Sequence, residues 1–230
     1  PLIGYGPESM YVAYNPFYPP ELAQVEKRNA SPDRSHNETW DSLVITVALG
    51  LLAYLALFGA IFYYGLKWLG FITNSGQRYL FLMLYFGGGV LSALGFMLIM
   101  GVELFGVALP FGMMLGVLIY LALVALSGHY ERPQTERGRL RAITIAALLA
   151  AIMAHFAEIN FGIAIAATRL YFWSFVGMLL LVGYVLPLYG VYGEEHLEEQ
   201  ETGKAAPKKA KNTSTKGKRR RGGRGKSSST

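Results

Sequence analysis

Ser42-Leu43-Val44-Ile45-Thr46-Val47-Ala48-Leu49-Gly50-Leu51-Leu52-Ala53-Tyr54-Leu55-Ala56-Leu57-Phe58-Gly59-Ala60-Ile61-Phe62-Tyr63-Tyr64-Gly65-Leu66 contains no charged side chain. As a helix rising about 1.5 Å per residue, this run outspans a hydrocarbon layer of about 30 Å. Inside lipid the backbone has no water to bond, so a run of this kind must be a transmembrane helix. Outward from it the pattern repeats. Further apolar blocks cover about 79–100, 105–127, a stretch beginning at Ala142, and 170–192. The fold expected is all-α: a polytopic membrane helix bundle of about five spans. The composition agrees, with 53% hydrophobic residues and a mean hydropathy of +0.32, more apolar than an ordinary soluble domain.

The chain has no cysteine, which excludes disulfides and thiolate metal or redox chemistry. Its formal charge of +6 is unevenly placed. Residues 1–193 hold ten Lys/Arg against ten Asp/Glu, whereas residues 194–230 hold eleven against five. Three regions follow. Residues 1–41, rich in Pro, Gly and aromatics, read as an extracytoplasmic loop with short helices. Residues 42–193 read as the five-span transmembrane bundle. Residues 194–230 have too few apolar side chains for a core and read as a disordered polybasic tail. With 1–41 outside, Lys67, Arg78, Arg132, Arg137, Arg139, Arg141 and the tail all fall on the cytoplasmic side, as the positive-inside bias requires. The expected location is a multi-pass protein of the inner or plasma membrane. The tail then meets anionic lipid headgroups, with no specific nucleic-acid partner.

The loop before the first span ends in Ser31-Pro32-Asp33-Arg34-Ser35-His36-Asn37-Glu38-Thr39-Trp40-Asp41. Ser35-x-x-Glu38 matches a capping box, which puts the helix start at Ser35 and His36 in its first turn. A neutral imidazole there accepts a proton from a sugar hydroxyl, and the helix-end amides attract an anion such as a diphosphate. Arg28 and Arg34, just upstream, add charge-paired hydrogen bonds. His36 and Glu38 are the candidate catalytic residues.

Gly4-Tyr5-Gly6-Pro7-Glu8, followed about thirty residues later by Ser35-His36-Asn37-Glu38 and then an apolar span, resembles the large periplasmic loop of the O-antigen ligase and O-antigen polymerase family. His36 and Asn37 match that family's His-Asn pair. Val47 stands where the family pattern has a glycine, and Gly50 is the nearest one. The resemblance covers about residues 1–60, and the remainder by topology alone. It implies transfer of a glycan from an undecaprenyl-diphosphate carrier to a glycan or lipid acceptor hydroxyl at the outer leaflet. The reaction would be inverting, with no metal or cofactor. Family members have about a dozen spans. Together with Pro1 in place of Met, this gives the expectation that the chain is the C-terminal part of a longer one.

A second polar group, His155, Glu158, Asn160 and Arg169, interrupts the apolar sequence. Ionisable groups at membrane depth are costly and mark function by default. By the topology above, this group lies toward the outer leaflet, on the side of His36. His155 and Glu158, three residues apart, share a helix face. In the functional reading Arg169 binds donor phosphate, and Glu158 and His155 complete the site. In the structural reading Glu158 holds the His155 ring or pairs with Arg169, and the group fastens helices together. Gly87-Gly88-Gly89 and Gly95 read as helix-packing positions, and no Walker, Rossmann or zinc spacing occurs. The competing assignment is a noncatalytic membrane module, such as a transporter or flippase subunit. Neither the sugar, the acceptor, nor ligase as against polymerase is legible.

Overall fold

The structure, a computed structural model, describes residues 4–7, 9–27, 30 and 34–191. Arg28 and the tail 194–230 therefore lie outside the described residues. The described residues form helices and turns without a strand. A short α1 (Met10–Tyr14) and two 3-10 turns (Asn15–Phe17 and Pro20–Gln24) precede the long helix α2 (Glu38–Trp68). Then follow α3 (Ser75–Met100), a 3-10 turn (Val102–Leu104), α4 (Phe105–Ser127), α5 (Glu136–Glu158) and α6 (Ala166–Leu180). The line of α6 continues through a π-helical segment (Leu181–Val185) into α7 (Leu186–Leu188). Five segments are long and apolar enough to cross a membrane. The chain is thus a multi-pass helical membrane protein.

The helices start where polar side chains take up free amides. Asn74 Oδ1 accepts from Gln77 N at 2.9 Å, and Thr135 Oγ1 from Gly138 N at 3.0 Å. The cap at Thr135 begins α5 six residues earlier than Ala142, the start expected from hydropathy. Arg137, Arg139 and Arg141 consequently ride on the helix instead of in a loop. Arg141 is put to use there. It donates from Nε to the Val182 carbonyl at 3.1 Å and from Nη2 to that of Gly183 at 2.9 Å. Both carbonyls belong to the π segment, whose wider turn breaks the ordinary i→i+4 pattern.

An aromatic column joins α2, α3, α5 and α6. Phe58 stacks on Phe156 with ring centroids 4.3 Å apart and lies 5.2 Å from Phe172, and Phe62 reaches Tyr85 at 6.4 Å. Buried tyrosine hydroxyls end on backbone carbonyls: Tyr85 on Leu55 at 3.0 Å and Tyr120 on Phe71 at 2.8 Å. The α3–α4 hairpin closes over glycine. A Cβ on Gly88 would stand 2.7 Å from the Gly112 carbonyl, and one on Gly112 or Gly116 would collide with the carbonyl of Gly88 or Leu84. Such small-residue contacts let two backbones approach within lipid. Gly88 and Gly89 serve this packing, whereas Gly87 and Gly95 face open space.

Candidate functional site

α2 starts later than the sequence motif indicates. Its N-cap is Asn37, whose Oδ1 accepts from Trp40 N at 3.0 Å, and the first helical residue is Glu38. The expected capping box at Ser35 is not formed. The Ser35 hydroxyl has Asp41 Oδ1 at 2.7 Å and the Asn37 carbonyl at 2.9 Å as acceptors, and Ser35 N donates to the same Asp41 oxygen at 2.9 Å. Aspartate is the stronger acceptor because its hydrogen bonds are charge-assisted. His36 accordingly precedes the helix instead of sitting in its first turn. It is exposed and adopts φ +57°, a conformation uncommon for any residue but glycine.

The turn between α5 and α6 is sewn onto this start. Asn160, only 2% exposed, is the knot. Its carbonyl accepts from Asn37 Nδ2 at 2.8 Å, its Oδ1 from Thr39 Oγ1 at 2.8 Å, and its Nδ2 donates to the Phe156 carbonyl at 2.6 Å. Glu38 N adds a bond to the Ile159 carbonyl at 3.0 Å. Thr39 is wholly buried, and leaving any of these groups unpaired would carry a desolvation cost. Through this seam Arg169, at the head of α6, reaches Glu38, with Nη2 3.4 Å from Oε1. The two are 131 residues apart in sequence.

Nine residues into α2 the helix breaks. Val47 has φ +59° and ψ −166°, a region that is essentially glycine's alone. The carbonyls of Val44 and Ile45, which a continuous helix would keep for the amides of Ala48 and Leu49, instead accept from Tyr5 N at 3.0 Å and Gly6 N at 3.2 Å. Gly4 makes the approach possible, since a Cβ there would collide with the Ile45 carbonyl. The Gly4-Tyr5-Gly6 stretch is thus a backbone clasp on the broken helix. α2 is 31 residues, or about 46 Å, long. The part from Ala48 to Trp68 already spans about 31 Å, enough for a hydrocarbon layer. The segment before the break therefore projects beyond the apolar stem.

Between clasp, α1 and the head of α2 lies a cleft of about 230 Å³ whose lining includes Ser9, Arg34, Glu38, Asp41, Thr46 and Arg169. Of the residues expected at the site, Arg34, Glu38 and Arg169 meet here. His36 is two residues from both Arg34 and Glu38 but does not line the cleft. His155 and Glu158 do not line it either. They pair with each other, His155 Nδ1 standing 3.2 Å from Glu158 Oε2, and the imidazole stacks on Phe172 at 5.2 Å. Glu158 therefore holds the histidine, and Arg169 turns to Glu38. Asp41 and Thr39 were not singled out from sequence, and Gly4-Tyr5-Gly6, singled out for the family resemblance, was not expected as a backbone clasp on α2. Asp41 had a visible signal, an acid in the first turn of a capped helix.

Fold and site together define a multi-pass helical membrane protein with a charged cleft at one end of its bundle. No family model matches the chain, and no curated protein or solved structure matches it.

Proposed function

We propose that the protein is a membrane glycan transferase of the O-antigen ligase and polymerase type. Its reaction would move a glycan from an undecaprenyl-diphosphate carrier to an acceptor hydroxyl at the outer leaflet. The observation that carries this reading is the meeting of Arg34 and Arg169 in one cleft at the projecting head of α2, with His36 two residues along the chain from Arg34. Two guanidinium groups suit a diphosphate through charge-assisted, forked hydrogen bonds. In the proposed step His36 takes the proton of the acceptor hydroxyl. The oxygen forms a bond to the anomeric carbon, and the bond from that carbon to the diphosphate breaks. The lipid diphosphate leaves with the electron pair, its charge met by Arg34 and Arg169. Displacement from the opposite face inverts the sugar.

The basic residues on cytoplasmic loops and tail support an orientation with the cleft outside and the C-terminus in the cytoplasm of the inner or plasma membrane. A transporter subunit is the competing reading, and the broken helix α2 is the feature in its favour. Transporters use such breaks near the bilayer midplane, whereas the break at Val47 falls nine residues from the helix head, which favours interfacial chemistry.

The test is His36→Ala and Arg169→Ala in the full-length protein, with glycan attachment read on a gel from cells and membrane insertion read by immunoblot. Loss of a general base lowers transfer about a hundredfold or more, and Arg169→Ala is expected to abolish it while insertion is unchanged. Unaltered glycan attachment by both variants would end the transferase reading.

A further inference from the structure

We infer that Asp41 is a positioning residue that acts through Ser35 to fix the turn presenting His36. The inference rests on the transferase reading and deepens it. Asp41 is 6% exposed, and a carboxylate so placed needs full compensation. Two donors from Ser35, the backbone amide and the hydroxyl, converge on its Oδ1 at 2.9 and 2.7 Å. These bonds close a ring across the five residues that lie between Ser35 and Asp41, and the ring encloses the helix cap. Inside it lies His36 with its left-handed backbone.

Both flanks of that histidine are tied. On one side is Ser35, bound to Asp41. On the other is Asn37, whose side chain caps Trp40 N through Oδ1 and donates to the Asn160 carbonyl through Nδ2. A backbone conformation unfavourable for histidine persists only where the surroundings over-determine it. Here the over-determination comes from Asp41 in one direction and Asn160 in the other. Opening the Asp41 side leaves His36 free to relax to an ordinary negative φ, which swings its side chain away. Arg34, directly before Ser35, would move with it.

Asp41→Asn separates this role from direct chemistry. The amide retains Oδ1 as an acceptor for both Ser35 donors but carries no charge. Asp41→Ala and Ser35→Ala open the ring. Each variant is made in the full-length protein, with glycan attachment measured in cells. The purified, 13C-histidine-labelled protein in detergent is followed by NMR, the His36 resonance being assigned with His36→Gln. Asp41→Asn is expected to keep the His36 resonance close to that of the unsubstituted protein and to retain more transfer than Asp41→Ala. Asp41→Ala is expected to lower transfer by about tenfold to a hundredfold and to displace or broaden that resonance, with Ser35→Ala following in the same direction. An Asp41→Asn protein as inactive as Asp41→Ala, with its His36 resonance unmoved, would mean that Asp41 acts on substrate by its charge and would overturn the inference. So would an Asp41→Ala protein whose resonance stays in place. If His36→Gln transfers glycan normally while Asp41→Ala still displaces the resonance, the transferase reading fails and takes the catalytic part of this inference with it, leaving the Ser35–Asp41 ring as structure alone.

Discussion

Replacing Val47 by glycine should raise the stability of the protein, against the usual rule for a helix interior. There, glycine is less favourable than alanine by about 1 kcal/mol. At φ +59° and ψ −166° the balance changes. A β-branched residue held in a glycine-only region carries strain of about 3 kcal/mol, the upper end of the usual range. Removing the half-buried valine side chain forfeits about 1 kcal/mol of apolar burial. Glycine's larger unfolded-state freedom costs about another 1 kcal/mol. Val47→Gly therefore gains about 1 kcal/mol, or about 2–4 °C in melting temperature for a chain of this size. Val47→Ala supplies the control, because it loses the same burial while a Cβ keeps most of the strain. It should melt below the unsubstituted protein, with glycine about 2 kcal/mol above alanine. The assay is a thermal melt in detergent followed by intrinsic tryptophan fluorescence, at one scan rate for all three proteins. Membrane proteins commonly unfold irreversibly, which makes the apparent midpoint depend on that rate. A glycine variant melting below the alanine variant would refute the reasoning and return α2 to a continuous helix.

The buried hydroxyl of Tyr54 has no hydrogen-bond partner among the described residues, so Tyr54→Phe should be neutral or stabilising by up to about 1 kcal/mol. Tyr85→Phe, which deletes a bond to the Leu55 carbonyl, should cost about 1 kcal/mol in the same melts. Gly112→Leu should cost about 3 kcal/mol or more by forcing α3 and α4 apart, whereas Gly95→Leu, which meets open space, should leave the melting temperature nearly unchanged.

The membrane architecture was legible because hydropathy over some twenty residues is a strong signal, set by the bilayer and not by any particular neighbour. Helix ends were read less well. Ser35-x-x-Glu38 has the residue types of a capping box, but the pattern cannot record competition for the serine hydroxyl. Asp41, six residues on, takes it, and Asn37 takes the cap. The arginines of α5 looked like a loop because charge was read as exposure, yet Arg141 is bound to the π segment by two carbonyls. Arg169 and Glu38 were each singled out, but their pairing depends on the folding of the α5–α6 turn onto Asn37 and Thr39, which no local pattern encodes. The histidines divide similarly. His155 and Glu158 were placed on one face by their spacing, with Glu158 either holding the ring or pairing with Arg169; Glu158 stands against the ring, while their distance from the cleft depends on which way the α5 face turns. The glycine expected near position 47 proved informative in its absence, since the backbone there adopts the conformation that residue would choose.

The break in α2 also divides mechanical duties along one helix. Below Val47 the stem must follow the bilayer, leaning more where the hydrocarbon thins and less where it thickens. Above it, the head answers to different anchors: the N-terminal backbone bound at Val44 and Ile45, and the α5–α6 turn bound at Asn37 and Thr39. The break at Val47 is the point where these two sets of anchors meet on α2, with Glu38 on the head side of it.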